Sequence, residues 1–346
     1  MKISILIPCF NEEKSIAECV LSCLSQSRTP DQIVVVNDGS TDRSREILAQ
    51  FGDAITVITM SVPTGNKSYA QEIGLQYVTG DIFITTDGDT VLDRDFVKYV
   101  EEDFTRDPHI TAVGGYVRSR KHNWLTACRA FEYSVGQNLH KLAQHHLGFL
   151  FVIPGAAGVF NTEHFRKYIS FDHDTLTEDL DFTYRLHKLD LKVLYDRRMV
   201  VYTQDPATLH SYINQMRRWF GGGWQCLLKH YKLAGLQPKV ALELSIMYFE
   251  GFVFSTLLLV LPFISFDFFR NFFLSYFALA LTFALFAAWK ERRPGLLLVP
   301  IPYMVIVVIN AYIFLEQMVN EVILKKKNLS WFHPERFITP PQTQSN

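Results

Sequence analysis

Two acidic stretches in this sequence have residue types and spacing that could carry chemistry. Asp87 and Asp89 flank a single glycine and come directly after the apolar run at 82–85. Two carboxylates on one loop can present oxygen atoms to a hard divalent cation such as Mg²⁺ or Mn²⁺, which can hold a diphosphate and stabilise a leaving group's charge. Taken alone, the stretch is more typical of an Asp-Gly turn that closes a strand.

The second acidic stretch is Thr177-Glu178-Asp179. A carboxylate on the face opposite a leaving group can take the proton of an attacking hydroxyl, and direct displacement with inversion requires one such base. The chain has no G-x-S-x-G sequence and no cysteine in a recognisable catalytic motif, so no competing nucleophile is evident. The alternative for these three residues alone is the capped start of a helix.

A third stretch combines an amide, a guanidinium and an indole, as Gln215, Arg218 and Trp219. The planar, permanently charged fork of an arginine suits a diphosphate, and an indole face suits the apolar C–H side of a sugar ring. All three fall in the amphipathic pattern of 209–231, where aromatic and basic side chains occur together. Such a helix can lie on a membrane surface, although the pattern alone fits an ordinary packed helix equally well.

The elements that must position these residues are predicted as alternating strands and helices. Helical patterns at 12–26, 41–51 and 66–79 separate short β-rich runs, which predicts a parallel sheet with crossover helices. In such sheets ligands bind at the carboxyl ends of strands. Polar residues fall just past three of the predicted strand ends, namely Asn11, Glu12, Asp38 and Asp87. The predicted strands are Ile3–Ile7, Gln32–Val36, Ile55–Thr59 and Ile82–Thr85.

Four motifs in chain order resemble the inverting family-2 glycosyltransferases of the cellulose, chitin, hyaluronan and poly-N-acetylglucosamine synthase type. The motifs are Asn37–Asp42, Asp87–Asp89, Thr177–Asp179 and Gln215–Trp219, and they extend the resemblance over about residues 1–235. The resemblance implies an α/β, GT-A-like (Rossmann-like) nucleotide-sugar domain with a mostly parallel sheet. It also implies that the sugar donor is a UDP-sugar.

The resemblance implies roles for individual residues as well. Asp179 resembles the general base, and Asp87 and Asp89 resemble the ligands of Mg²⁺ or Mn²⁺. The residues that resemble the nucleotide-sugar site are Pro8, Asn11, Glu12, Asp38, Lys67, Asp87, Arg218 and Arg336. Those that resemble the acceptor site are Gly155, Glu178, Gln215 and Trp219. Arg336 ends a stretch from Trp331 that is similar to the element closing over bound nucleotide, although a Trp and an Arg after Lys325–Lys327 fit an interfacial anchor equally well. The chain departs from the family at Glu72, where asparagine is usual, and at Met216.

Composition changes sharply near residue 241, from mixed and charged to apolar. Three apolar stretches follow, at 244–264, 271–289 and 295–315, and each has about the ~20 residues that a membrane-spanning helix requires. Four regions are therefore predicted: a catalytic domain at 1–207, an interface-helix region at 208–240, a membrane domain at 241–324 and a tail at 325–346.

The side of the membrane on which each part lies is predicted from charge and hydropathy. Residues 1–8 form too short an apolar run for a signal peptide, so the catalytic domain is expected in the cytosol, where nucleotide sugars are made. Three full spans would place the tail outside, whereas Lys325–Lys327 favour the inside. A third segment broken at Pro300–Pro302, and re-entrant, would give an even number of crossings. The sequence leaves this open.

Whole-chain composition limits the partners. The net charge is −1, so no basic field indicates nucleic acid. Five cysteines without a C-x-x-C pair predict free thiols rather than a zinc site or a disulfide framework. The expected partners are the nucleotide-sugar donor, a polysaccharide or lipid acceptor, and the bilayer. About three helices cannot enclose a channel for a sugar chain, so polymer export would require a second subunit or a homo-oligomer.

The expected activity is metal-dependent transfer of a sugar to a growing β-linked polysaccharide. One alternative is a glycolipid synthase that adds one or a few sugars to a lipid and needs no channel. A second alternative is a nucleotide-sugar-binding scaffold without turnover, against which the presence of every acidic motif residue argues.

Overall fold

One mixed sheet contains all eight strands of the described part of the chain. The computed structural model describes residues 1–230, 238–327, 329 and 336–337. The strands are β1 (Ile3–Cys9), β2 (Gln32–Asn37), β3 (Thr56–Thr59), β4 (Ile82–Thr85), β5 (Val91–Leu92), β6 (Ala112–Ser119), β7 (Gly158–Asn161) and β8 (Val193–Thr203). Their order across the sheet is β3-β2-β1-β4-β7-β6-β8-β5.

The first four strands form the parallel half of the sheet, with β1 between β2 and β4. β7 runs antiparallel to both β4 and β6, whereas β6 and β8 pair in parallel. Apart from terminal residues, β1 to β4 coincide with the four predicted runs. The predicted α/β fold with a mostly parallel sheet is confirmed.

Helices cover both faces of this sheet, which is why its central strands are buried on both sides. Ile3, Ile5 and Ile7 of β1 belong to the apolar cluster on one face, and Leu6 belongs to the cluster on the other. The helices are α1 (Ile16–Leu24), α2 (Ser44–Ala49), α3 (Lys67–Tyr77), α4 (Phe96–Arg106), α5 (Trp124–Val135), α6 (Leu142–His146), α7 (Thr162–Tyr168), α8 (Glu178–Lys188) and α9 (Leu209–His230). A π-helical turn at Gly136–Lys141 joins α5 to α6.

Three apolar helices follow: α10 (Pro238–Ile264), α11 (Phe266–Glu291) and α12 (Pro300–Met318), the last continued by a π-helical turn at Val319–Ile323. By length and composition, each could cross a membrane. Pro300 and Pro302 lie in the first turn of α12, where the missing N–H groups have no intrahelical partner to lose. The predicted segment 295–315 thus consists of a 3₁₀ turn at Pro294–Leu298 and most of α12, and the prolines lie at the junction, where the sequence left a break open. Tyr231, the last residue of the predicted amphipathic helix, lies outside the described residues.

The helices of the catalytic region and the apolar helices share one core. Leu125 and Phe131 of α5 and Tyr212 of α9 are clustered with apolar residues of α11 and α12. α5 and α9 are thus part of the structure that holds the apolar helices against the sheet.

Three consecutive glycines in α9 allow neighbouring segments to approach on different sides. A Cβ on Gly221 would lie 3.1 Å from the Gln317 side chain of the α12 segment, and one on Gly223 would lie 3.1 Å from the Tyr248 hydroxyl of α10. A Cβ on Gly222 would lie only 2.6 Å from the Thr177 side chain, immediately before α8. Side chains here would push α8, α10 and α12 away from α9.

A matched pair of glycines tests how closely α3 packs on the sheet. A Cβ on Gly74 would lie 2.8 Å from Val36 Cγ2, whereas one on Gly136, also in a helical conformation, would meet nothing within 4 Å. We expect Gly74→Ala to destabilise the protein by about 1–3 kcal/mol through overpacking, and Gly136→Ala to stabilise it by about 0.5–1 kcal/mol through helix propensity. Thermal unfolding of the two purified variants measures both, and equal melting temperatures would contradict the close packing.

Candidate active site

A polar cleft lies where β1 and β4 end and where α3 and α8 begin. Lys67 is the first residue of α3, Asp87 and Asp89 follow β4, and Glu178 is the first residue of α8. Sequence-predicted residues from four separate segments meet in this cleft, as the carboxyl-end rule for parallel strands predicts.

Lys67 connects the two acidic stretches. Its Nζ lies 2.5 Å from Asp87 Oδ1 and 3.3 Å from Glu178 Oε1. The carboxylates Asp87, Glu178 and Asp179 raise the pKa of Lys67 against the opposing effect of burial. A Cβ on Gly155 would lie 3.0 Å from this Nζ, so the glycine allows its loop to approach the ammonium group.

Arg336 provides a second cation to the same cleft. It forms two-pronged contacts with Glu12, with Nη2 2.7 Å from Oε1 and Nε 2.9 Å from Oε2, and its Nη1 lies 2.6 Å from Asp89 Oδ2. Burial raises the pKa of Asp89 to about 6, although the charge of Arg336 opposes this shift. Trp331, at the other end of the predicted nucleotide-closing stretch, lies outside the described residues.

Asp179 lies beside this network at the start of α8. Its carboxylate accepts hydrogen bonds from the backbone N–H of Leu180 at 2.9 Å and from that of Gly155 at 3.3 Å. Burial and the neighbouring charge of Glu178 raise its pKa to about 6, whereas the charge of Lys67 works in the opposite direction. The result is a carboxylate that gains and loses its proton near neutral pH.

The predicted nucleotide residues form a neighbouring set at the ends of β1 and β2. Asp38 accepts hydrogen bonds from the backbone N–H and the hydroxyl of Thr64, at 2.8 and 2.7 Å. Asn11 adopts a left-handed conformation with φ 54°, and its side chain accepts from the Thr41 N–H at 2.8 Å. Pro8 is the last residue but one of β1 and lies opposite Val36 of β2. The Asp38 N–H donates to the Cys9 carbonyl at 2.8 Å, so the ends of β1 and β2 are joined close to Asn11 and Glu12.

Glu72, where the chain departs from the family pattern, is directed elsewhere. Its Oε2 lies 2.9 Å from Nε2 of His173. That imidazole in turn stacks on Tyr69 with ring centroids 3.6 Å apart.

The predicted residues of α9 divide between two surroundings. Arg218 is within electrostatic range of Asp87, Glu178 and Asp179, and burial lowers its pKa against their attraction. Gln215 is buried, and its side-chain oxygen has no hydrogen-bond partner among the residues that the structure describes. Trp219 is half-buried and packs on the guanidinium of Arg129, whose Cζ lies 4.7 Å from the ring centroid.

Two further residues belong to this region without belonging to any motif. Arg129 of α5 is buried and pairs with Glu132 and with Asp205, the latter at 3.3 Å. Lys141, at the end of the π-helical turn, feels the charge of Asp179, and burial lowers its pKa to about 8. The sequence at 124–148 has a helical pattern that includes both residues, and no spacing in that pattern distinguishes them.

The charge balance of the cleft determines what it can bind. The cleft contains five carboxylates and three cations, and the more distant Lys141 is a fourth cation. The carboxylates are those of Glu12, Asp87, Asp89, Glu178 and Asp179, and the three cations are Lys67, Arg218 and Arg336. Among the described residues, no three His, Cys, Asp or Glu side chains are arranged to hold a metal ion. The excess of carboxylate oxygens still suits a hard divalent cation whose remaining ligands come from a diphosphate.

Removing Lys67 tests this balance through stability alone. We expect Lys67→Met to destabilise the protein by about 3–5 kcal/mol at pH 8, because breaking a buried ion pair leaves its partners unpaired. The pKa of Asp179 would rise further above 6 in this variant, so the loss should shrink as the pH falls from 8 toward 6 and that carboxylate takes up its proton. Thermal unfolding at several pH values measures the loss. Lys98→Met, at an exposed position on α4, should change little at any pH, and a pH-independent loss for Lys67→Met would contradict the charge explanation.

Comparisons with known proteins agree on one family. The family model described as glycosyltransferase like family 2 matches residues 2–222. The poly-beta-1,6-N-acetyl-D-glucosamine synthase of Staphylococcus epidermidis is 29% identical over 232 residues, which are 66% of this chain and 56% of that protein. The same enzyme of Staphylococcus aureus (strain COL) is 27% identical over 231 residues, with the same coverage. The chain thus spans little more than half the length of these relatives.

A solved structure shows the shared fold over a larger part of the chain. The mannosyltransferase from Pyrobaculum calidifontis, in complex with GDP-Man and Mn²⁺, matches with a TM-score of 0.66 at 18% identity. The match covers 94% of this chain and 88% of that one, so the sheet and its helices have the GT-A arrangement. With the family match extending over residues 2–222, the chain belongs to glycosyltransferase family 2.

Proposed function

We propose that this protein is a membrane-bound inverting glycosyltransferase that transfers a sugar from a UDP-sugar to a growing β-linked polysaccharide. One observation carries the proposal: Lys67 bridges Asp87 and Glu178 and also acts on the charge of Asp179, the residue after Glu178. The carboxylate suited to be a base therefore lies next to the carboxylates suited to hold a diphosphate-bound cation. A fold alone would not require these segments to share one ion-pair network.

Asp179 is the catalytic base in this proposal. It takes the proton of the acceptor hydroxyl while that oxygen attacks the anomeric carbon and the diphosphate leaves from the opposite face. The backbone N–H groups of Leu180 and Gly155 donate to this carboxylate and hold it in one orientation. Its pKa of about 6 keeps it ionised at neutral pH while leaving it basic enough to accept a proton.

The nucleotide-sugar donor binds along the edge formed by the ends of β1 and β2. Asp38, Asn11 and Pro8 lie beside the base and ribose, and Glu12 lies on the side of the cleft nearest to them. Lys67, Arg218 and Arg336 supply positive charge to the diphosphate. When the donor binds, phosphate oxygens can replace carboxylate oxygens as neighbours of these cations.

Asp87 and Asp89 would hold Mg²⁺ or Mn²⁺ together with the diphosphate oxygens. When bound, the cation stabilises the negative charge of the departing nucleoside diphosphate. The excess of carboxylates over cations in the cleft supports this assignment.

The acceptor sugar approaches from the side of Gly155, Glu178, Gln215 and Trp219. Gly155 leaves space beside Asp179, and the buried oxygen of Gln215 offers an acceptor to a sugar hydroxyl. The indole of Trp219, oriented by Arg129, offers a flat apolar face.

We further propose that α10 and α11 cross the bilayer as a hairpin and that α12 lies against the catalytic domain. A helix leaving a domain to cross a bilayer contacts that domain near one end. α12 and its π-helical extension contact α5 and α9 along their whole length, through Tyr303 with Phe131 (ring centroids 4.9 Å apart), Asn310 with Tyr212 (2.9 Å), Glu316 with Arg217 (2.8 Å) and Glu321 with Gln225 (2.9 Å).

The position of the tail agrees with an even number of crossings. Arg336 contacts Glu12 inside the cleft, which supports a position of Arg336 on the same side as the catalytic domain. That side is the cytosol, which contains nucleotide sugars. In this proposal the chain consists of a catalytic domain at 1–207, an interface region at 208–240, a membrane region at 241–324 and a tail at 325–346.

The glycolipid alternative is favoured by the size of the membrane part. Two crossing helices cannot enclose a sugar chain, so polymer export would require a second subunit or a homo-oligomer. A lipid acceptor would need neither, because it could enter from the bilayer beside α9. The scaffold alternative gives no reason for a carboxylate with a raised pKa beside the donor cleft.

Substituting the proposed base gives the first prediction about turnover. The wild-type rate should fall as the pH falls through about 6, because Asp179 is then protonated and cannot accept the hydroxyl proton. Asp179→Asn should lose at least about 100-fold in turnover number at neutral pH. Initial rates across pH, with saturating donor, measure both effects.

Asp190→Asn is the matched control, because Asp190 is exposed just after the same helix and has a φ of 53°, which asparagine tolerates. It should keep the wild-type rate and pH profile. Full activity in Asp179→Asn would remove the proposed base.

Product size distinguishes the candidate functions. The purified full chain in lipid would receive radiolabelled UDP-glucose, UDP-N-acetylglucosamine or UDP-glucuronate, with Mn²⁺, with Mg²⁺ or with a chelator. The proposal predicts a large product that specific glycosidases digest, formed only with a metal.

Label confined to the organic-extractable lipid would support the glycolipid synthase instead. Donor binding without turnover of any of the three UDP-sugars would support the scaffold. Undiminished product in the chelator would contradict the metal assignment of Asp87 and Asp89.

A further inference from the structure

A basic cavity lies at the junction of the sheet and the end of α11, away from the catalytic cleft. Its volume is about 310 Å³, and Arg118, Arg197, Lys290 and Arg292 contribute four cations to its lining. Glu291 is the one acidic residue of that lining.

The charge of Glu291 is already balanced. Arg118 Nε lies 3.0 Å from Glu291 Oε2, and the Tyr116 hydroxyl donates to Oε1 at 2.5 Å. Arg197, Lys290 and Arg292 have no ion-pair partner among the described residues, apart from the contact of Lys290 with the Trp289 ring. The cavity therefore has positive charge for which the described chain provides no counterion.

The position of the cavity indicates where that counterion comes from. Trp289 lines the cavity and is 74% exposed. It lies in the last turn of α11, an apolar helix long enough to cross a membrane. Tryptophan and basic residues at the end of such a helix are typical of the boundary between hydrocarbon and headgroups. At that depth, the anion present at high local concentration is a lipid phosphate, and the cytoplasmic leaflet is negatively charged.

We propose that this cavity binds the phosphate of an anionic lipid headgroup at the membrane surface. Arg197 and Arg292 contact the phosphate from the β8 side and the α11 side, and Arg118 is held in place by Glu291. The cavity is lined by β6, β8, the π-helical turn and the end of α11, so a bound headgroup would join the sheet to the apolar hairpin. The inference is independent of which sugar the protein transfers and of whether it transfers one.

The test uses the purified full chain in mild detergent with added phosphatidylglycerol or phosphatidylcholine, and native mass spectrometry counts the retained lipids. Wild-type protein should retain phosphatidylglycerol in preference to phosphatidylcholine. Arg197→Gln/Arg292→Gln should weaken phosphatidylglycerol retention about tenfold, since each basic residue near an anionic surface contributes to binding.

Arg45→Gln/Lys98→Gln is the matched control, because it removes two exposed charges from α2 and α4 of the catalytic domain. It should bind lipid like the wild type, and all three proteins should have similar melting temperatures. Equal retention by the cavity variant and the control would overturn the proposal.

Competition identifies the source of the phosphate. Excess inorganic phosphate or glycerol phosphate should leave the retained phosphatidylglycerol in place if the headgroup is held at the bilayer boundary. Complete displacement by either anion would overturn the lipid assignment and indicate a site for soluble phosphates. Equal retention of both lipids by the wild type would overturn the site itself.

Discussion

The pairing of Lys67 with two carboxylates is the interaction on which the cleft depends. Asp87 follows a strand in the middle of the sheet and Glu178 begins a helix far along the chain, yet both lie against one ammonium group. Without that cation, the low-polarity surroundings would make their mutual repulsion costly. Arg336 has the same effect on Glu12 and Asp89. The protein therefore keeps an acidic cleft folded by supplying cations that a diphosphate can also use.

The second dependence is between this cleft and the apolar helices. α9 carries Arg218 toward the carboxylates on one side, and it contacts α12 through Arg217 and Tyr212 on another. α5 contributes Arg129, whose guanidinium lies on the Trp219 indole. Because interiors are densely packed, a shift of α12 in the membrane region would be transmitted to α9 and so to the residues beside Asp179.

Part of the fold can be predicted from the local sequence, and part cannot. β1, β2 and β4 are buried on both faces and therefore read as short apolar runs with recognisable ends. β8 gives no such signal, because Asp196, Arg197 and Arg198 interrupt it at an exposed bend. β7 is short and follows a glycine-rich loop, so the sequence pattern there fits a strand or a helix equally well.

The candidate site shows the same division. The motif residues on loops could be located because loop positions after strands converge by the geometry of a parallel sheet. Arg129 and Lys141 could not, since their approach to Trp219 and Asp179 depends on how α5 and the π-helical turn pack against α9 and α8. The contact of Arg336 with the cleft was expected from resemblance, but its partners Glu12 and Asp89 follow only from three-dimensional structure.

The glycine triplet of α9 has a consequence for biogenesis. Each glycine lowers the intrinsic stability of a helix by about 1 kcal/mol relative to alanine, so residues 221–223 make α9 a weak helix in isolation. What stabilises it is contact with α8, α10 and α12 on different sides. A nascent chain whose apolar helices have not yet packed against α9 would therefore lack a stable α9, and Gln215, Arg218 and Trp219 would not be held in place. Synthesis and packing of α10 and α12 would thus have to precede assembly of the candidate site.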